Sequence, residues 1–420
     1  MKISIIGCGY VGTVTGTGLA ELGNEIIFVD IDEEKVTALN SGRPPIFEHG
    51  LEELLVKNRE RVHATTDFRE LEYSDISFIC VGTPSRDDGS IDLRYVKSAA
   101  ENIGEVLDKK TNFHLVVVKS TVVPGTTEEA VKSAIEDVSN KRAFDEFGVA
   151  MNPEFLREGN AVEDFFNPDR IVLGVEDARS KRILEELYMD FNCPKLITGI
   201  KTAEMIKYVS NSFLATKISF ANEIGNICKR LGIDTHEVFK GVGLDYRINP
   251  SFFRSGIGFG GSCFPKDVRA LIAKAEELGA NPQILKAVIK LNEEQPLNLI
   301  AMLKKHLPDL KGRRIGVLGL TFKPDTDDIR ESRAVPVIER LIEEGATVVA
   351  YDPKAMGTFK GLFPQIEYAS PAEVLNTDAV LIVTEWQEFE ALNYAHKIVI
   401  DGRRVEKAKK EAGIYEGVCW

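Results

Sequence analysis

Lys2-Ile3-Ser4-Ile5-Ile6-Gly7-Cys8-Gly9-Tyr10-Val11-Gly12 opens the chain, and its reading decides the fold. The stretch Lys2 to Ile6 is short, apolar and β-branched, which predicts a strand buried on both faces. A G-x-G-x-x-G turn follows at once. A helix is expected from about Gly12 to Leu22, and Glu25-Ile26-Ile27-Phe28-Val29-Asp30 predicts a second strand. The acidic residue that ends it, Asp30, stands 18 positions beyond Gly12. In a strand–turn–helix unit of this kind each glycine has its own task. Gly7 makes the tight turn, Gly9 lets backbone approach a pyrophosphate, and Gly12 lets helix and strand pack closely. Tyr10 and Val11 complete the cofactor turn at the helix N-terminus, whose free N–H groups and positive dipole favour phosphate. Asp30 can hydrogen-bond a ribose 2′-OH, so the turn predicts NAD rather than NADP. The alternative is a glycine turn without a ligand. Lys35, one turn into the next helix, reads either as a second ribose contact or as a solvated lysine.

Working outward, DISFICVG, HLVVVKST, FGVAMNPEF and RIVLGV continue the strand pattern to about residue 197. Strands alternating with helical stretches argue for a parallel sheet covered on both faces. The character changes near 198. TGIKTAEMIKYVSNSFLATKISFANEIGNICKRLG reads as one long helix ending at Gly232, apolar on more than one face. FPKDVRALIAKAEELG and a stretch from about Pro282 to Lys305 add further helix. At 311–319, KGRRIGVLGL repeats the opening pattern, and TVVAYDP, DAVLIVTEW and KIVIDGR supply more strands. The expected architecture is α/β, with two doubly wound Rossmann-like domains, 1–197 and 311–420. A long central helix and a helical dimerisation domain, 198–310, join them.

A chain of 420 residues exceeds one ordinary core, which agrees with this division. The net charge of −13 argues against nucleic acid as a partner. No apolar run is long enough for a membrane span, and the N-terminus lacks the features of a signal peptide, so a cytoplasmic protein is expected. Six cysteines, at 8, 80, 193, 228, 263 and 419, form no C-x-x-C pair, and no metal site is expected. Reduced packing residues are the default for most of them. Cys8 lies within the cofactor turn and reads as packing.

Cys263 differs. It stands in Gly256-Ile257-Gly258-Phe259-Gly260-Gly261-Ser262-Cys263-Phe264-Pro265-Lys266-Asp267. So many glycines lose conformational entropy on ordering, and such loops usually serve close backbone approach or unusual dihedrals. The thiol precedes a helix N-terminus and neighbours Lys266, a setting that lowers a thiol pKa and favours nucleophilic attack. Asp267 is placed to position or activate a water. A buried structural cysteine in a glycine turn is the competing reading. A nucleophilic thiol combined with NAD points to oxidation of an alcohol to an acid. Hydride loss gives an aldehyde, thiol addition a thiohemiacetal, a second hydride loss a thioester, and water releases the acid.

With these motifs in place, the sequence resembles the UDP-glucose and GDP-mannose dehydrogenase family over essentially its whole length. GFGGSCFPKD is similar to that family's catalytic cysteine loop, NPEFLREG at 152–159 to its sugar-nucleotide loop, and AEMIKYVSNSFLATKISFANE at 203–223 to its central helix. FKPDTDDIRES at 322–332 is similar to the signature that begins its nucleotide-sugar domain. The resemblance implies Cys263 as nucleophile. It implies Lys207 and Asn211, on one helix face, as the groups that stabilise the alkoxide and orient the intermediate. Thr121 and Asp267 match the groups that hold the hydrolytic water, and Glu158 matches the carboxylate base. Contacts to NAD are implied for Thr83, Thr121, Glu158, Lys266 and Arg330. Contacts to the sugar nucleotide are implied for Glu154, Phe155, Leu156, Arg157, Glu158, Phe252, Phe253, Arg254, Ser255, Gly256, Gly260 and Lys323. Arg247 matches an arginine that reaches into a partner subunit's site. Surface charge is the competing reading for Arg254 and Glu154.

The wording around Lys207 and the phenylalanine after Cys263 are closer to the UDP-glucose branch, with GDP-mannose as the rival. After Gly316 and Gly319 the second glycine motif lacks the full fingerprint, so a UDP-type ligand is expected there rather than a second dinucleotide. A two-electron hydroxyacid-type dehydrogenase has no use for the cysteine loop or the second α/β domain. A scaffold protein has no use for the thiol and helix lysine. The long helix predicts a two-fold homodimer.

Overall fold

A computed structural model describes residues 1–420. The chain folds as two compact units, Met1–Ser210 and Asn211–Trp420, and the division falls inside the long helix, Ile200–Leu231. The boundary lies within the segment expected as the helical middle, 198–310.

The first unit is built on eight strands. These are β1 (Lys2–Ile6), β2 (Glu25–Val29), β3 (Val62–Thr65), β4 (Ile76–Ile79), β5 (Leu115–Val118), β6 (Gly148–Met151), β7 (Ile171–Val175) and β8 (Lys195–Thr198), ordered β3-β2-β1-β4-β5-β6-β7-β8. Their side chains alternate between two cores, as the period of a strand requires. Ile3, Ile5, Ile26, Phe28, Phe78, Leu115 and Val117 enter one core, and Ile6, Val29, Ile79, Val116 and Val118 enter the other. Each such side chain contributes about 1.5–3 kcal/mol on leaving water. The switch in strand order lies between β1 and β4, and the carboxyl edge beside it is where a sheet of this type takes its ligand.

One feature departs from the expected all-parallel sheet. β7 runs antiparallel to β6, and β8 follows β7 in parallel. The segment between β6 and β7 carries only a short helix, Ala161–Phe166, too short to cross back over the sheet. Residues 152–170 thus stay at the carboxyl edge of β6, which keeps the NPEFLREG loop at the ligand edge.

The second unit holds β9 (Arg314–Leu318), β10 (Thr347–Tyr351), β11 (Glu367–Tyr368), β12 (Ala379–Ile382), β13 (Ile398–Asp401) and β14 (Ile414–Gly417), all parallel, in the order β11-β10-β9-β12-β13-β14. The same two-sided alternation holds: Ile315, Val317, Val348 and Leu381 face one core, and Leu318, Val349, Val380 and Ile382 the other. The helical stretch expected at 282–305 is divided into Gln283–Glu294 and Asn298–His306 by a tighter turn at 295–297. Pro296 lies in that turn and cannot donate the N–H that a continuous helix needs. No helix is long and apolar enough to cross a membrane.

Candidate active site

In the first unit the glycine turn fits a dinucleotide. Gly7 has φ +95°, and its N–H donates to Val29 O at 2.8 Å. A Cβ on Gly12 would sit 1.9 Å from Gly7 O, so any larger residue forces turn and helix apart. Around Gly9 there is open space, and as N-cap of the helix Tyr10–Glu21 it brings no side chain to the first-turn N–H groups. These groups and the helix dipole suit a diphosphate. Asp30, buried at the end of β2, accepts from Cys8 N at 2.6 Å and Asp32 N at 3.0 Å. Lys35 is partly exposed, and its Nζ lies 3.7 Å from a carboxylate oxygen of both Asp30 and Asp32. Cys8 is fully buried, and burial followed by the Asp30 charge pushes its thiol well above the usual range, which bears out the packing reading.

At the same edge, Thr83 Oγ1 donates to Thr121 O at 3.0 Å, and Ser120 Oγ donates to Val81 O at 2.7 Å. These hydroxyls lace the segments after β4 and β5 together and fix Thr121, which is half-buried. Glu154 is not a surface charge. It is buried, and its Oε1 accepts from Lys207 Nζ at 2.7 Å while Oε2 accepts from Leu156 N at 2.6 Å. Burial alone raises a carboxyl, but the Lys207 charge and hydrogen bond, with the Leu156 N–H, outweigh it and hold Glu154 below its ordinary value. Glu154 therefore holds the Lys207 side chain in place. Phe155 lies under the Arg170 guanidinium, 3.8 Å from the ring centroid, and Leu156 packs on the core. Arg157 is exposed and ion-paired with Asp164 at 2.5 Å, and Glu158 is half-buried at the end of the loop.

In the second unit Cys263 is the exposed member of the six cysteines and occupies the N-cap of the helix Phe264–Glu277. The positive end of a helix favours an anion such as a thiolate. Asp267, in the first turn, is almost fully buried. Its Oδ1 accepts from Lys266 Nζ and its Oδ2 from Asn211 Nδ2, both at 2.6 Å. Lys266 Nζ is ion-paired with Asp267 in the same turn. The glycines of the loop meet the requirement of close approach: a Cβ on Gly260 would lie 2.3 Å from Glu331 O, and one on Gly261 2.7 Å from the Phe322 ring.

Upstream, Phe252 is held at φ +68° and Phe253 stacks on Phe239 with 4.7 Å between centroids. Arg254 is exposed, and Ser255 is buried. Gly256 N–H donates to Asn222 Oδ1 at 2.7 Å, and its Cα faces Gly402 at the carboxyl end of β13. Lys323 Nζ lies 5.7 Å from the Phe322 centroid. Arg330 turns onto Asp328 and Arg247 onto Asp245, each at 2.6 Å.

Several groups escaped sequence reasoning. Lys119, inside the quoted HLVVVKST, is buried and donates to Asn152 Oδ1 at 2.9 Å; Tyr188 OH donates to the same oxygen at 2.6 Å. Burial lowers Lys119 to about 8, against the pull of Cys80 and Glu154. Glu204, one turn before Lys207, accepts from Gly125 N at 2.6 Å and Thr127 N at 2.8 Å, and burial raises it to about 7. Arg403, beside Gly256, donates to Val383 O at the ligand edge of the second sheet. A charged residue inside a strand-end motif was the available signal for Lys119; the spacing to Lys207 was the signal for Glu204.

Comparison with known proteins places the chain in one family. Residues 1–192 match the NAD binding domain of the UDP-glucose/GDP-mannose dehydrogenase family, 201–294 its central domain and 316–408 its UDP binding domain. The chain is 48% identical to the UDP-glucose 6-dehydrogenase AglM of Haloferax volcanii over 100% of both chains. It is 40% identical to a GDP-mannose 6-dehydrogenase of Pseudomonas putida, also over 100% of both. Among solved structures, a UDP-glucose dehydrogenase from the archaeon Pyrobaculum islandicum superposes with a TM-score of 0.96 at 48% identity, covering 100% of this chain and 98% of that one.

Proposed function

The chain belongs to the UDP-glucose/GDP-mannose dehydrogenase family, and from that premise we propose that it is a cytoplasmic, homodimeric UDP-glucose 6-dehydrogenase. It oxidises the C6 alcohol of UDP-glucose to the carboxylate of UDP-glucuronate. The observation that carries the reading is the exposed Cys263 at a helix N-cap, four residues before the buried, Asn211-bonded Asp267. NAD, when bound, takes two hydrides per turnover. The family's NAD binding domain spans residues 1–192, and Gly7, Gly9, Tyr10, Val11, Gly12, Asp30 and Lys35 fit it there.

The chain's own residues do the rest. Lys207, held in place by Glu154, stabilises the C6 oxygen as the first hydride leaves with both electrons of the C–H bond and the hydroxyl proton passes to solvent. Cys263 Sγ then bonds C6 of the aldehyde, and the oxygen takes a proton to give a thiohemiacetal. Loss of the second hydride and of the hydroxyl proton leaves a thioester. Water attacks C6 with Glu158 as base, the C6–S bond breaks, and the thiolate leaves with its electron pair. Overall, one alcohol, two NAD and one water give one carboxylate, two NADH and three protons. Asn211 orients the intermediate and Asp267 fixes Asn211. Phe252 to Gly256, Gly260 and Lys323 hold the nucleotide sugar, whose diphosphate an arginine such as Arg403 suits.

A second copy of the chain accounts for the long helix. Met205, Val209, Phe213, Phe220, Ile227 and Leu231 are exposed on it at spacings of four and seven residues, the pattern of one apolar stripe. Phe213→Asp is expected to shift the protein to monomer in light scattering. An unchanged mass would remove the dimer reading.

The substrate is tested by incubating the protein with NAD and either UDP-glucose or GDP-mannose and identifying the uronate by mass spectrometry. UDP-glucuronate as main product supports the reading. Turnover of GDP-mannose alone moves the assignment to the other branch.

A further inference from the structure

Glu48 lies in Pro44-Pro45-Ile46-Phe47-Glu48-His49-Gly50, a stretch with no role in the chemistry above. Its carboxylate is buried and held by donors from two separate motifs of the first unit. From the cofactor turn, the Tyr10 hydroxyl donates to Oε2. From the end of the NPEFLREG loop, Gly159 N–H donates to the same oxygen at 2.8 Å and Ala161 N–H to Oε1 at 3.0 Å. Gly159 N–H also reaches the Tyr10 hydroxyl at 2.9 Å.

Tyr10 is the first residue of the helix after Gly9, so its backbone N–H is one of the amides offered to the dinucleotide phosphates. Ala161 opens the helix Ala161–Phe166, whose Phe165 packs on Gly18 of the Tyr10–Glu21 helix; a Cβ on Gly18 would lie 2.3 Å from that ring. The two motifs therefore share one carboxylate and one tight helix contact. A buried carboxylate with lost donors is costly, so Tyr10 and Gly159 hold their places together or leave them together.

We propose that Glu48 is a positioning residue that couples dinucleotide binding to sugar-nucleotide binding. The proposal rests on the reading of residues 152–159 as the sugar-nucleotide loop. A dinucleotide that fixes the Tyr10 turn also orders Gly159 and Ala161, so the second ligand meets a smaller ordering cost. By linkage the effect is reciprocal.

The test measures UDP-glucose affinity by calorimetry with and without saturating NADH, a pair that cannot turn over. In the unaltered protein NADH is expected to tighten UDP-glucose binding at least about fivefold. In Tyr10→Phe, which keeps the ring and backbone, and in Glu48→Gln, the ratio falls below about twofold. The double variant shows no further change, because both act through one contact. Circular dichroism confirms folding; if Glu48→Gln is unstable, Tyr10→Phe decides alone. The same ratio in Tyr10→Phe as in the unaltered protein overturns the proposal, as does a ratio of one in the unaltered protein when both ligands bind. No binding of UDP-glucose at all marks a different failure, that of the functional reading itself, and the coupling falls with it.

Discussion

The two sheets make the same turn and use it differently. Gly7 and Gly319 both sit at positive φ, +95° and +91°, after the first strand of their sheet. Each donates its N–H at 2.8 Å to the carbonyl preceding an aspartate, Val29 O before Asp30 and Tyr351 O before Asp352. Each aspartate accepts the N–H of the residue after the glycine, Cys8 N at 2.6 Å and Leu320 N at 2.7 Å. There the likeness ends. Asp352 Oδ2 also accepts from the Thr321 N–H and hydroxyl and from Trp386 Nε1, and its Oδ1 from Lys354 N and Ala355 N. It has no exposed surface, whereas Asp30 keeps some and lies near Lys35. A helix starts at Tyr10 in the first unit; in the second, the next helix starts at Ala334. A dinucleotide site needs the turn, the helix N-terminus and an acid with oxygen to spare. The second turn keeps only the first, and its acid has become a structural node.

The largest effect expected from this contrast is on cofactor binding. Gly12→Val drives a side chain into Gly7 O and is expected to weaken NADH at least about 100-fold, a difference of roughly 2.7 kcal/mol. Fluorescence titration of NADH reads it. Gly319→Ala, which meets Thr384 at 2.4 Å, is expected to lower stability and leave NADH affinity alone. Loss of NADH binding in both would erase the distinction.

Next comes the sealed acid. Asp352→Ala strands several buried donors and is expected to cost about 2.5 kcal/mol of stability. Both tryptophans, Trp386 and Trp420, lie in the second unit, so their fluorescence follows that unit's unfolding. Asp30→Ala is expected to leave that transition in place and weaken NADH about tenfold instead.

Acid should stabilise the second unit and leave the first nearly level. Burial lowers His114, in the first unit, from its ordinary value to about 3. A depressed histidine stabilises the fold above its unfolded value near 6.5 and loses that contribution as pH falls toward about 3. Between pH 6.5 and 5 the loss is roughly 2 kcal/mol, and Glu204 in the same unit, raised by burial from 4.5 to about 7, gains about as much over that range. Asp401, in the second unit, is raised by burial from 3.8 to about 6. Its contribution is full below 3.8 and lost as pH rises through about 6, so acidification helps it. Tryptophan fluorescence melts at pH 7 and 5 should therefore show the second unit gaining stability while circular dichroism shows the first holding level. Parallel losses would contradict this.

The smallest effect is at Lys35, which is partly exposed and screened. Lys35→Ala should weaken NADH only about threefold, roughly 0.6 kcal/mol.

Much of this was legible in the chain. Strands buried on both faces announce themselves as short apolar runs, and the glycine turn, the long helix and the Cys263 loop each carry local chemistry. What stayed hidden depends on distant partners. IVLGV reads the same whether β7 runs with or against β6; only the short helix before it decides. Glu154 looks like a surface charge until Lys207, 53 residues away, is found on it. Glu48 shows no local pattern, because its donors lie 38 and 111 residues distant. Pro296 was visible, and it marks the break that a smooth apolar period conceals.

The central claim is that Cys263 carries C6 through two oxidations. The most direct measurement counts NADH formed per UDP-glucose consumed, for the unaltered protein and for Cys263→Ser. The account predicts two NADH per sugar nucleotide in the first, and in the variant a stall before free UDP-glucuronate appears. One NADH per substrate in both proteins would contradict it and make Cys263 a structural residue.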